Sequence, residues 1–452
     1  MQFSDTRIVF DTVFTSVSTI TRVLTVKNPY KTDIKTDIRL VGGATSYFSI
    51  NVDGVPMKQQ QLKDVEIPAQ DSIFIFIKAN INPRLDNPML VCDTLLFITN
   101  ENRQNVELLA YGQDAYFILP NDTIRIPQKD GSVYKIPYRI VAEEGKEVTW
   151  KNDKPYVIYG HAVVDSDAKL IIEKGTRVYL HQGATLWIYV DGCLEVNGTK
   201  DEPVTFQGDR LEKWYENVHA QWDKIWICES NRDSKINYAI IKNAFIGIHA
   251  ETLEARKNNK LILTNTIIKS SQSGLLAQAY TIEASNNVFM DCRQFCAALT
   301  QGGDYTFVNN TLYNRYSNRR TDPALYLSNY YKYPNDDIGV SDFSGNFVNN
   351  IVSGSQDEEF RYSTPMKEAK FSASFENCLL KTDLKFLENS AITHTNTLLN
   401  INPEFEDEKE YKDLKLKSTS PCKNAGKSVP WLLTDIEGNL RNTSFPSIGA
   451  YE

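Results

Sequence analysis

Several features that would narrow the function are missing from this chain. No run of 18 apolar residues occurs among its 452, so no helical stretch is long and apolar enough to cross a bilayer. Lys and Arg number 49 against 57 Asp and Glu, a net charge of -8. With no basic excess and no basic stripe, nucleic acid is excluded as the main partner, because phosphate binding needs clustered cations. The five histidines, His161, His181, His219, His249 and His394, include no i,i+4 pair and no HExxH phrase, which removes a common zinc-hydrolase signature. Seven scattered cysteines are an odd set and no disulfide framework. "CRQFC" at 292–296 has no matching second pair, so no metal and no cofactor is expected, and the thiols read as buried and free. The opening "MQFSDTRIVF" has no signal-peptide core.

What is present is β-structure. Residues 1–115 read as short strands between turn residues. "STITRVLTVKNP" (18–29) alternates and stops at Asn28-Pro29. Ile73 to Ile77 form a run with Phe74 and Phe76 on the opposite face. "DTLLFITNENRQNVELLAYGQDA" reads as a hairpin turning at Asn100-Glu101-Asn102. This spacing predicts a β-sandwich. Residues 116–155 contain four prolines and read as an extended connector.

From residue 156 to 452 the sequence repeats. The phrases "NYAII" (237–241), "TNTII" (264–268), "NNVFM" (286–290), "NNTLY" (309–313), "NNIVS" (349–353) and "ENCLL" (376–380) share a polar pair followed by apolar residues. Aligning Tyr238, Asn265, Asn287, Asn310, Asn350 and Asn377 gives gaps of 27, 22, 23, 40 and 27. In that alignment Ile240, Ile267, Phe289, Leu312, Val352 and Leu379 fall into one apolar column. A second column holds Gly247, Gly274 and Cys296. A turn-strand unit of this period is the mark of a parallel β-solenoid. The recurring Asn has a physical reason: at a bend its amide can donate and accept to its own turn and to the neighbouring coil. Glycines 175, 183, 192 and 198 punctuate the first coils. The sandwich is expected to cover the front end and the tail, 420–452, the other, because open solenoid ends expose strand edges.

The candidate chemistry sits in "NGTKDEPVTFQGDRLEKWYENVHAQWDKIW" (197–226), which gathers Asp201, Glu202, Asp209, Arg210, Glu212, His219, Asp223 and three tryptophans. One reading is a sugar platform of Trp214, Tyr215 and Trp222, with Asp209 and Asp223 as acid and base and Arg210 beside them. The other is a long coil-to-coil loop folded back on the solenoid, with its tryptophans covering core edges. A second binding candidate is 323–340, with Tyr326, Tyr330, Tyr331 and Tyr333 on a protruding loop. Lys242 and Lys269 occupy equivalent places in neighbouring coils and read as solvated.

Two resemblances follow. "VKN" 26–28, "FSI" 48–50, "IPAQDS" 67–72 and "LAYG" 109–112 resemble the immunoglobulin-like domains of the ASPM/SPD-2/Hydin type. "GTKDEPVTFQGD", "QWDKIWI" and "INYAIIKNAFIGI", with the closing "SPCKNAG", "DIEGNLR" and "IGAYE", resemble right-handed parallel β-helix proteins. The whole order resembles right-handed β-helix lipoproteins of the Bacteroidota outer membrane. The resemblance implies an all-β chain, an N-terminal β-sandwich followed by a right-handed parallel β-helix. It also implies a non-catalytic, outer-membrane-anchored scaffold or interaction subunit at the cell surface. The implied partner is an outer-membrane barrel protein or other surface lipoproteins, in a complex that assembles or exports membrane proteins. The leader and lipid-carrying cysteine of that group are not in this sequence. The alternative from the residues themselves is a polysaccharide lyase or hydrolase, or a glycan-binding surface protein.

Overall fold

The computed structural model describes residues 1–14, 21–79, 90–128, 131–211, 213–252, 260–316, 320–407 and 413–452. Two compact units divide the chain, Met1–Ala115 and Tyr116–Glu452. Among the described residues the regular elements are strands and four short 3-10 turns, so the protein is all-β.

The first unit has two five-stranded sheets. In Ser72–Ala79, Ile73, Ile75 and Ile77 are buried, and Phe74 and Phe76 are exposed on the other face, the two-residue period of a strand buried on one side. Leu24, Val26 and Ile75 from one sheet share a core with Ile38, Phe97 and Leu108 from the other. The two sheets therefore form a sandwich. The hairpin reverses in two residues, since Thr99 pairs with Asn102. Asn100 and Glu101 both have positive φ, 47° and 66°, as a turn that follows strand twist requires.

Residues 116–155 are not a connector. Tyr116–Ile118, Val133–Ala142 and Glu147–Trp150 pair in parallel with Tyr156–Ile158, His161–Val164 and Lys169–Glu173, and so supply the first coil of the second unit. Pro120 and Pro155 lie outside strands, and Pro127 ends the edge strand Asp122–Pro127. At such positions a missing N–H breaks no ladder bond.

The second unit is a parallel β-solenoid. An eleven-stranded sheet forms one side, and an eighteen-stranded sheet supplies the other strands of each coil. Ile241, Ile268, Phe289, Leu312, Val352 and Leu380 are in register and stack in the core. The apolar column aligned from the sequence is therefore mixed. Phe289, Leu312 and Val352 point inward, but Ile240, Ile267 and Leu379 lie one residue off, and a one-residue step turns a strand side chain to the opposite face. The second column stands: a Cβ on Gly247 would strike the Gly274 carbonyl, and one on Gly274 the Cys296 carbonyl.

At one corner of every such coil the chain bends through a residue of positive φ: Tyr238, Asn265, Asn286, Asn309, Asn349 and Asn377. Asn tolerates this left-handed conformation better than most side chains. The next residues, Thr266, Asn287, Asn310, Asn350 and Cys378, are buried and linked. Asn287 Nδ2 donates to Asn310 Oδ1 (2.9 Å), Asn310 Nδ2 to Asn350 Oδ1 (3.0 Å), and Asn350 N to Cys378 Sγ (3.3 Å). Six of the seven cysteines are buried, while Cys92 is exposed.

The tail does not close an end of the solenoid. It runs back along the side as a strap over this corner and the outer face of the eleven-stranded sheet. Asn377 Nδ2 donates to Ala425 O, Asn349 Nδ2 to Lys427 O, Asn286 Nδ2 to Thr434 O, and Asn309 Nδ2 to Ser447 O and Gly449 O. Beneath it, Val288, Ile351 and Leu379 pack against Phe405, Leu416, Cys422, Ile436 and Ile448. Of the outward apolar residues that the core column had claimed, Leu379 is buried beneath the strap and Ile267 packs partly buried against the same cluster.

Candidate functional site

At the corner where the eleven-stranded sheet leads into the eighteen-stranded one, residues 181–184 connect Arg177–Leu180 to Thr185–Ile188. One coil later residues 209–221 make the same connection, from Val204–Gly208 to Trp222–Cys228. The longer connection is fixed at both feet to the shorter one. Asp209 N donates to Leu180 O (3.2 Å), and Asp223 N to Ala184 O (3.0 Å).

Much of the loop is then folded back over the following coils. Ala220 N and Gln221 N donate to Ala244 O and Asn243 O. Asn243 Nδ2 donates to Glu216 O and Val218 O, and His219 Nε2 lies 3.0 Å from Asp291 O. Burial holds the His219 pKa below its usual value, so the ring serves as a neutral clasp. Glu202 pairs with Lys174 at 2.5 Å on the surface. Glu212 lies outside the described residues.

The acids at the two feet have different partners. Asp209, only 13% exposed, accepts from His181 Nδ1 at 2.7 Å; His181 is 46% exposed. That bond raises the His181 pKa against partial burial and the nearby Arg210. Tyr159, one coil back, lies against the imidazole with ring centroids 4.6 Å apart, and burial pushes its hydroxyl pKa upward. Asp223 accepts from Thr185 Oγ1 (3.0 Å) and has Lys224 Nζ at 3.8 Å. The expected acid and base thus belong to separate networks, and the titratable couple at this corner is His181–Asp209.

The three aromatics separate as well. Arg210 lies over the Tyr215 ring, 3.9 Å from its centroid, and Trp214 is 59% exposed. These three residues of the loop that begins at Asp209 make up the shelf. Trp222 is not part of it. It is 1% exposed, packs in the solenoid core and donates from Nε1 to Lys242 O at 2.9 Å, so neither face of the indole is open to a sugar.

The 323–340 segment does not protrude freely. Tyr326 is half-buried in Leu325–Ser328. Tyr330–Lys332 and Ile338–Val340 form an antiparallel hairpin. Tyr333 donates to Gln301 Oε1 (2.6 Å), Tyr331 and Tyr333 meet edge to face, and Tyr330, Tyr331 and Tyr333 are all half-buried. Lys242 and Lys269 are in register; burial, then Lys269, lowers the Lys242 pKa.

His181 and Tyr159 were not singled out from the sequence. Their signal was positional: "YVIY", "VYLH" and "TFQGD" each end with the residue that leaves the same sheet. Register puts Tyr159, His181 and Asp209 on successive coils.

A family model described as a pectate-lyase-like β-helix domain matches residues 142–237, which contain this whole site. No curated protein matches the chain. Among solved structures, the catalytic unit of a thermostable GH87 alpha-1,3-glucanase from Streptomyces thermodiastaticus is 10% identical, over 84% of this chain and 88% of that one, with a TM-score of 0.25. A GH87 alpha-1,3-glucanase catalytic domain in complex with nigerose is 11% identical over 82% of this chain and 90% of that one, TM-score 0.20. A family 123 glycoside hydrolase from Clostridium perfringens is 6% identical, TM-score 0.19, over 29% of this chain, which spans 39% of that protein. The family model and the parallel strand pairing of the second unit agree on a β-helix.

Proposed function

We propose that this is a carbohydrate-active protein that takes a polysaccharide across the shelf of Arg210, Trp214 and Tyr215, with His181 and Asp209 as its acid–base couple. The observation that carries this reading is the exposed His181 held at 2.7 Å on the largely buried Asp209, at the foot of the loop that carries the exposed Trp214. An open aromatic face stacks on a pyranose ring, and Arg210, levelled by Tyr215, is placed to meet a carboxylate or hydroxyl edge. A histidine oriented by a carboxylate is suited to moving a proton near neutral pH. The pectate-lyase-like match over 142–237 supports a sugar-polymer role.

The test is a panel of uronate-containing and neutral polysaccharides, read for unsaturated ends, reducing ends and retention on the polymer. Cleavage or retention that is lost in His181→Ala and Asp209→Asn, and kept in Asp223→Asn, is the expected result. Full activity in His181→Ala would remove the assignment.

A second reading has its own observation. On the first unit Val23 and Phe76 are paired neighbours, and with Phe74 they form an exposed apolar patch on one sheet, the kind of surface that marks a protein contact. On this reading the patch is a protein contact, and we propose a cell-surface scaffold or interaction subunit with an outer-membrane barrel protein or other surface lipoproteins as its partner. Affinity purification from gently solubilised membranes, read by mass spectrometry, tests it. Recovery of the chain alone counts against it.

A further inference from the structure

The strap encloses a cavity that the shelf does not use. It is about 270 Å³, and its lining combines the apolar Val429, Leu432 and Leu433 with the polar Ser428, Thr443 and Arg441. Arg441 is an unusual lining residue. Its side chain is only 4% exposed. One terminal nitrogen is fully engaged, donating to Asn286 Oδ1 (2.7 Å), Gly449 O (3.0 Å) and Ala450 O (3.2 Å). The other has only long contacts, 3.5 Å to Ser447 O and to Glu452 Oε2. Nε–H has no partner at all, and neither has the buried hydroxyl of Ser447, next to the lining residue Pro446. A buried donor without an acceptor is costly, and native structures seldom leave one without a reason.

We propose that this cavity binds one neutral sugar ring, its hydroxyl edge against Arg441 and Thr443 and its apolar face against Val429, Leu432 and Leu433. Size supports a single ring, since the space lies just under the roughly 300–1,000 Å³ of drug-sized pockets. Charge supports a neutral occupant. The Glu452 carboxylate already stands at Arg441, and Asp435 is close enough to act on it, so an anion would gain little. The mixed apolar and polar lining suits a pyranose, which is apolar on its C–H face and polar at its rim. The turns that supply the lining also expose Trp431 and Phe445, where a following sugar can stack. The proposal is independent of the Asp209 shelf.

The experiment is calorimetric titration of the full chain with the methyl glycosides of glucose, galactose, mannose and N-acetylglucosamine. A methyl glucuronoside and N-acetyl-leucine amide serve as the anionic and peptide-like probes. Saturable binding of at least one neutral glycoside is expected. Leu433→Arg and Thr443→Val, both at exposed positions, should each weaken it about tenfold or more, and saturable binding should persist in a Trp214→Ala background, where the shelf no longer contributes stacking. The proposal falls if no neutral glycoside binds, if the anionic or amide probe binds more tightly, or if both strap variants bind as before. Loss in Trp214→Ala alone would move the binding to the shelf.

Discussion

The solenoid turns two corners that obey opposite rules. At the asparagine corner the turns are short, repeat from coil to coil, and bond to one another through stacked amides. At the shelf corner, residues 181–184 in one coil become 209–221 in the next, and His181, Asp209, Arg210 and Trp214 gather there. Regular stacking fixes the register of the strands that leave a corner. Irregular length frees side chains for chemistry while the coils beneath hold its feet. The same backbone thus uses one edge to specify the fold and another to present a surface.

The comparison can be broken most sharply at Trp222, which lies at the foot of the functional corner and yet is core. Trp222→Ala is expected to lose about 3–5 kcal/mol of stability, measured by urea unfolding. A loss well under 1 kcal/mol would mean that the indole is not packed as described. Next comes the asparagine corner. Asn310→Ala strips the partner from the buried Asn287 amide and backbone N–H and should cost about 1–3 kcal/mol. A neutral result would show that amide stacking decorates the register and does not set it. Trp214→Ala should change stability by no more than about 0.5 kcal/mol while weakening polysaccharide retention about tenfold, ~1.4 kcal/mol. Affinity electrophoresis beside a melting curve separates the two.

The smallest effect is electrostatic. His181 is raised in the folded chain by its bond to Asp209. That bond therefore adds stability fully below the unfolded histidine value of about 6.5, and the contribution disappears as pH rises through the raised value. The difference in melting temperature between the native chain and His181→Gln should be largest in mild acid and vanish in alkali. A difference that grows with pH would contradict the pairing.

These corners were unequally legible in the sequence. The glycine column was readable because Gly247 and Gly274 are single residues, each nine positions after the second residue of its phrase, Tyr238 and Asn265. The asparagine column was displaced by one because 286–287, 309–310 and 349–350 are doublets. Each offers two candidates, and only the sign of φ shows that Asn286, Asn309 and Asn349 match the single Asn265 and Asn377. That slip carried Ile267 and Leu379 to the wrong face. The shelf's acid was readable as a residue type, but its partner was not. His181 is 28 positions from Asp209, and nothing local joins them until the coils are stacked. Trp222 misled because a register shift between Lys224 and Ile225 breaks the alternation that would have marked it as inward.

The strap has a consequence for how the molecule is made. A solenoid whose coils touch only their neighbours can grow from any point, coil by coil. Here residues 425–449 bond back to Asn286, Asn309, Asn349 and Asn377 across separations of 148, 140, 78 and 48 residues. Coils finished early in synthesis keep an uncovered apolar side until residues 425–449 have left the ribosome. Long-range closure of this kind slows folding and leaves a partly made chain open to aggregation, so assembly ends in one late and cooperative step.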